Sequence, residues 1–133
     1  MAEEPVTQPD RMPALRVMPM PSDVNQNGDI FGGWVMAQVD IAGGLTAMRR
    51  ARGRVATVSV NSFLFKQPIS VGDIVSFYTD IVHVGRTSIT VNVEVYAERN
   101  HADPLTVKVT EAQLTFVAID ANGKKRDVPG EFA

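Results

Sequence analysis

The run GGWVMAQVDIAGGLTAM, Gly32–Met48, decides the architecture of this 133-residue chain. It holds no proline and no β-branched run, so it reads as a helix. A loop rich in turn formers, Met20–Asp29 (MPSDVNQNGD), leads into it. Arg49, Arg50 and Arg52 follow it, where cations suit the negative end of the helix dipole, and Gly53 is a natural stop. Between Ile30 and Met48 the only charged residue is Asp40. That stretch is apolar enough to suggest a membrane span, but Asp40 at its middle and four glycines argue for a buried helix instead. A helix that is apolar all round must be covered on most sides.

The segments around it are strands. Ala14–Met18 is short and ends at Pro19 and Pro21. Val55–Phe65 is β-branched and aromatic, and Ile74–Val84 follows a Val-Gly-Asp turn. In Thr87–Glu98, Ile89, Val91, Val93 and Val95 alternate with Ser88, Thr90, Asn92 and Glu94, the period of a strand with one buried face. Val84-Gly85-Arg86 suits a tight antiparallel hairpin. Leu105–Ile119 is the last long strand, and Asn122-Gly123 turns after it. The order predicts an α+β fold, a curved antiparallel sheet of about five strands wrapped around one long central helix. Residues 1–12 form a loose lead-in and residues 13–133 a single domain. Such a sheet leaves edges and a face unprotected, so a homo-oligomer is expected.

Composition narrows the chemistry. There is no cysteine, which excludes disulfides, thiolate metal sites and cysteine nucleophiles. Two histidines make a multi-histidine metal site improbable, so no metal is expected; His83 ends a strand and His101 sits in a loop, in structural or solvent roles. A net charge of −2 argues against nonspecific nucleic-acid binding. The acidic N-terminus has neither the basic nor the apolar region of a secretory signal, so no membrane partner and a cytoplasmic location are expected.

Asp40 is the chemically odd residue. A carboxylate in an apolar helix requires a hydrogen-bonding partner or a functional reason. On its face lie Met36, Ala37, Gly43 and Gly44, with Gly33 and Ala47 a turn further; apart from Met36 these are small and leave room for a ligand or another backbone. Trp34, Gln38, Ile41, Leu45 and Met48, on the opposite face, read as core. At the helix start, Gly32 and Gly33 present backbone N–H groups with the positive dipole end behind them, suited to a developing oxyanion or equally to a sharp turn. No Gly-Lys-Ser/Thr phosphate loop and no Ser-His-Asp set is present.

The Met20–Gly44 run, with Asn-Gly-Asp-Ile-Phe-Gly-Gly-Trp followed by Gln-x-Asp, resembles the bacterial acyl-CoA thioesterases of the hotdog-fold superfamily, in their YciA-like group. The resemblance continues through Arg54–Tyr78, Val84–Tyr96 and Thr110–Arg126. It implies hydrolysis of fatty acyl-CoA to acid and CoA, with Asp40 as general base or nucleophile and the N–H of Gly33, with Gly32, as oxyanion hole. Asp29 stands where relatives often carry a polar catalytic residue, and Asn25 either holds the water or thioester or closes an Asx turn. For the CoA phosphates the resemblance points first to Arg86 with Ser88, then to Lys66, Arg54 and Lys124–Arg126. The Thr57–Asn61 backbone, with Thr57, Val58 and Ser59 as its binding residues, would run beside the pantetheine arm, and Met36, Phe63 and Phe65 would line the acyl tunnel. No cofactor is implied, since CoA belongs to substrate and product. A site between two protomers, in a dimer that assembles further into a hexamer (a trimer of dimers), completes the expectation. The sequence ends Glu131-Phe132-Ala133, shorter than many such tails, which puts a tail contribution to the CoA site or the assembly in question. A hydroxyacyl-thioester dehydratase or a non-catalytic acyl-thioester-binding module are the alternative readings; the first needs an active-site histidine that this helix lacks.

Overall fold

The computed structural model describes residues 5–130; Met1–Glu4 and the Glu131–Ala133 tail lie outside the described residues. Its elements are β1 (Leu15–Val17), a 3-10 turn at Pro21–Asp23, α1 (Gly32–Ala51), β2 (Val55–Phe65), β3 (Ile74–Val84), β4 (Ser88–Arg99) and β5 (Leu105–Ala118). All five strands join one antiparallel sheet in the order β1-β3-β4-β5-β2. The single long helix on that sheet is the expected α+β arrangement.

The alternation in β4 works as read: Ile89, Val91, Val93 and Val95 are fully buried, facing the helix. On β5 the register with β4 shifts between Val95 and Tyr96, leaving Val109 as an extra residue on β5. Val107, Thr110, Ala112, Leu114 and Phe116 all end on the inner face. Gly43 lets α1 lie close to this face. A Cβ there would stand 3.1 Å from Phe116 Cζ and 3.6 Å from Val93 Cγ2.

The helix departs from expectation in which face it buries. Val35, Val39, Ala42, Gly43, Ala47 and Ala51 pack inward. Ile41 and Met48, read as core, are instead 49% and 41% exposed, and Phe31 and Met36 stand out beside them at 49% and 44%. The reason is that one five-stranded sheet covers only one side of a helix that is apolar all round. The proposed small-residue stripe divides accordingly. Gly43 and Ala47 serve the chain's own core, while Gly33, Met36, Ala37 and Asp40 face outward. Asp40, expected to be buried, is exposed in the single chain for the same reason.

The helix ends at Arg52, which adopts the left-handed conformation (φ 54°) and donates its N–H to Met48 O; the expected stop, Gly53, comes one residue later. Arg126 fixes this corner by donating to Ala51 O at 2.9 Å and Ile119 O at 3.0 Å. Residues 6–11, expected as a loose lead-in, have no regular secondary structure but are tied to the sheet. Val6 N donates to Thr106 O, the Tyr78 hydroxyl donates to Gln8, and Arg11 pairs with Asp80 at 2.9 Å.

On the outer face of the sheet Lys108 bonds Glu94 at 2.6 Å and also Glu111. Burial works against the Lys108 charge, but the bonds to Glu111 and Glu94 outweigh it and push its pKa up to about 12. The bond from Lys108 in turn holds Glu111 below the ordinary carboxylate range. No helix among the described residues is long and apolar enough to cross a membrane.

Candidate active site

The helix start is built by the loop before it. Gly28 (φ 86°) takes a left-handed conformation that a side chain would strain, and it closes the turn by donating its N–H to Asn25 O at 3.1 Å. The Asn25 side-chain oxygen accepts from the N–H groups of Asn27 (2.8 Å) and Asp29 (3.2 Å), the Asx-turn role. Ile30 N donates to Ile69 O, which anchors the loop to the segment after β2. Phe31 is the N-cap and makes no side-chain capping bond. The N–H groups of Gly32 and Gly33 therefore head an uncapped helix, with the first helical bonds running from Trp34 N and Val35 N to Phe31 O. A Cβ at Gly33 would meet nothing within 4 Å, so a ligand can approach its backbone freely.

Below this helix start lies a cleft of about 300 Å³ lined by Asn25, Asp29, Gly32, Phe65, Lys66 and Thr110, among others. Four sequence-derived candidates, Asn25, Asp29, Gly32 and Lys66, thus share one cavity, and Gly33, the next residue on the helix, is exposed beside Gly32 without lining it. Phe65, placed in the acyl tunnel, packs against Phe63 with the rings tilted by 45° and their centroids 4.9 Å apart, and its ring lies 3.3 Å from the Cβ position of Gly32.

Asp40 is elsewhere on the helix. Seven residues separate it from Gly33, about 10 Å along the axis at 1.5 Å per residue. Its carboxylate Oδ1 accepts a hydrogen bond from the Thr57 hydroxyl at 2.6 Å. Thr57 was expected only as backbone beside pantetheine; its hydroxyl on Asp40 is the contact that sequence reading missed. Val58 and Ser59 follow on the outer edge of β2, with the Ser59 hydroxyl donating to Asn61 Oδ1 at 2.7 Å.

The cationic candidates divide between the two ends of the sheet. Lys66 sits at the cleft, 3.8 Å from Glu111. Arg86 and Ser88 lie in the β3–β4 hairpin at the other end, where Ser88 pairs with Val117 and Val55 with Ala118. Arg54 is there too, bonded to the carbonyls of Asp120 and Ala121 at 3.3 and 3.2 Å. Arg86, the first phosphate candidate, pairs with Asp127 at 3.0 Å, and both side chains are largely exposed (82% and 69%). Within one chain, then, the helix carboxylate and the phosphate candidates of the hairpin end are not brought to the cleft.

Residues 27–103 match the Thioesterase superfamily model. The acyl-CoA thioester hydrolase YciA of Escherichia coli (strain K12) is 45% identical over 119 residues, covering 88% of this chain and 90% of that protein. A solved hexameric broad-specificity acyl-coenzyme A thioesterase superposes with a TM-score of 0.84 at 47% identity, over 94% of this chain and 86% of that one. The hexameric hotdog-fold thioesterase of Campylobacter jejuni superposes with a TM-score of 0.86 at 41% identity, over 90% and 91%. On its helix-and-sheet architecture and on these matches together, the chain belongs to the hotdog-fold thioesterase superfamily, among the YciA-type acyl-CoA thioester hydrolases.

Proposed function

We propose that this enzyme, an acyl-CoA thioester hydrolase by family, cleaves acyl-CoA to free acid and CoA at a site shared by two copies of the chain. The observation that carries the reading is the separation of its two chemical parts. Asp40 with Thr57 and the N–H groups of Gly32 and Gly33 lie about 10 Å apart on one helix, too far for that carboxylate to touch a carbonyl held by those N–H groups. A homo-oligomer resolves this.

β2 is an 11-residue edge strand with Val58, Val60, Leu64 and Phe65 exposed, the kind of edge that recruits another strand. Two β2 strands pairing antiparallel about Val60, at their midpoint, set Thr57 of one protomer beside the partner's Phe63. That carries Asp40 towards the cleft and helix start of the partner, and covers the exposed Phe31, Met36 and Ile41 side chains. The same symmetry brings the Arg54 and Arg86 end of one protomer towards the other's cleft, where the CoA phosphates require cations. Further assembly of dimers into a hexamer follows the hexameric relatives. A cytoplasmic setting suits a substrate carried on CoA.

In the reaction the thioester carbonyl lies on the Gly32 and Gly33 N–H groups, which take up the charge of the tetrahedral oxyanion. Asp40 of the other protomer, oriented by Thr57, draws a proton from water as it attacks the carbonyl carbon; direct attack by the carboxylate, giving an anhydride that water then opens, is the alternative course. CoA leaves as the thiolate and takes a proton. Asn25 and Asp29 position the substrate at the cleft wall, and CoA is the only carrier group involved.

The test is CoA release, followed with a thiol reagent over acyl groups from acetyl to palmitoyl, for wild type and Asp40→Ala. The enzyme has no cysteine to react with the reagent. Release by wild type and its loss in the variant support the reading. Wild-type protein that binds acyl-CoA without releasing CoA would make it a binding module.

A further inference from the structure

The floor of the cleft holds a group that the reaction above does not use. Thr110 is fully buried, and its hydroxyl has no hydrogen-bond partner among the described residues. It stands on the inner face of the sheet in line with Ala112, Leu114 and Phe116, and the β5 bulge at Val109 brings Val107 onto the same face, so every neighbour in that row is apolar. The same residue lines the cleft below Gly32 and Val35. A buried hydroxyl with no partner is destabilising, and replacing it by an apolar group of the same shape would relieve the cost. Its position supplies a use for it: Ile30, Val35, Phe65, Pro68 and Ile69 give the cleft an apolar wall, while Asn25, Asp29, Lys66 and Gln67 are its polar lining.

We propose that Thr110 is a specificity-determining residue that selects acyl groups bearing a hydroxyl or keto oxygen close to the thioester. This rests on the thioesterase reading and names the substrate class for it. With the thioester carbonyl on the helix N–H groups at the cleft mouth, the first acyl carbons enter between Phe65 and Val35. An oxygen on carbon 3 is then directed at the Thr110 hydroxyl, which a turn of the threonine side chain or of the Phe65 ring uncovers to the cleft, and which donates to a keto oxygen or exchanges donor and acceptor roles with a hydroxyl. A saturated chain of equal length leaves that hydroxyl desolvated and unpaired. Discrimination of this kind is strongest where a site's own buried polar group is left unsatisfied by the wrong substrate.

The test compares kcat/KM for 3-hydroxybutyryl-CoA and butyryl-CoA in wild type, Thr110→Val and Thr110→Ser. Wild type is expected to favour the oxygenated substrate by about two- to tenfold, the range of one neutral hydrogen bond. Thr110→Val, nearly the same shape, is expected to fold at least as stably and to lose or reverse the preference, mainly by gaining activity on butyryl-CoA. Thr110→Ser keeps the hydroxyl and retains the preference. A ratio of one or less in wild type, or a ratio unchanged in Thr110→Val, overturns the proposal while leaving the thioesterase reading intact. Absence of CoA release from either substrate, and from every other acyl-CoA, overturns that reading and this proposal together.

Discussion

Thr57→Val isolates the bond that orients the helix carboxylate. Valine keeps the shape and β-propensity of threonine on an edge strand and removes only the hydroxyl, which lies 2.6 Å from Asp40 Oδ1. An O–H donor on a carboxylate is charge-assisted and contributes about 1.5–3 kcal/mol net. Both residues are exposed in the single chain, so solvent competes and the lower end applies. About 1.4 kcal/mol corresponds to roughly a tenfold fall in rate. If Thr57 only positions Asp40, the fall belongs to kcat, with KM for acyl-CoA nearly unchanged, and Thr57→Ser restores most of it. The assay is steady-state CoA release under saturating substrate. Stability should move by no more than about 0.5 kcal/mol, as for other exposed positions, so unfolding cannot account for the loss. Wild-type kcat in Thr57→Val would refute the idea that this bond prepares Asp40. A rise in KM alone would return Thr57 to the pantetheine-contact role first read from the sequence.

Other perturbations test the frame around the site. Gly43→Val forces a branched side chain into the 3.1 Å gap before the Phe116 ring and should cost about 2 kcal/mol, seen as a lower urea midpoint; an unchanged midpoint would mean that helix and sheet can separate freely there. Asp73→Ala removes the carboxylate from a 2.8 Å pair in which Asp73 is 3% and Arg99 16% exposed, leaving a buried guanidinium without it. A loss of about 3 kcal/mol is expected by chemical denaturation, and a loss below about 1 kcal/mol would show the pair to be dispensable. Lys108 sets a pH dependence. Its folded pKa of about 12 exceeds the ordinary 10.5, so its contribution is complete below pH 10.5 and is lost as pH rises towards 12. Lys108→Met should flatten stability over that window, and a slope equal to that of wild type would assign the alkaline loss to other groups.

Much of the fold was legible because its signals are local. The bounds of β2 and β3 follow from β-branched runs closed by Pro68 and Gly85, and the inner face of β4 follows from strict alternation. The helix extent was equally plain, but its buried face was not. With apolar residues on every side, nothing in Gly32–Ala51 says which side meets the sheet, and the answer depends on Phe116 and Val93 finding Gly43. Asp40 stood out by charge alone. Its partner Thr57 lies 17 residues away on another element, and no periodicity joins the two. Thr110 was legible from one side only: alternation back from Phe116, Leu114 and Ala112 puts it on the inner face, whereas counting from Lys108 across the bulge at Val109 puts it on the solvent side. The gathering of Asn25, Asp29 and Gly32 in one cleft was readable, because one short loop carries all three.

The central claim is that each site combines Asp40 of one protomer with the helix start of another, and mixing two inactive variants tests it directly. Asp40→Ala removes the carboxylate. Gly33→Pro removes the backbone N–H at a first-turn position where proline is tolerated and where the structure leaves open space. Each variant alone should be inactive. Refolded together in equal amounts, half of the dimers pair the two variants and carry one intact site of two, so about a quarter of wild-type CoA release should return. A mixture as inactive as its parents would contradict the shared site and place both catalytic parts within a single chain.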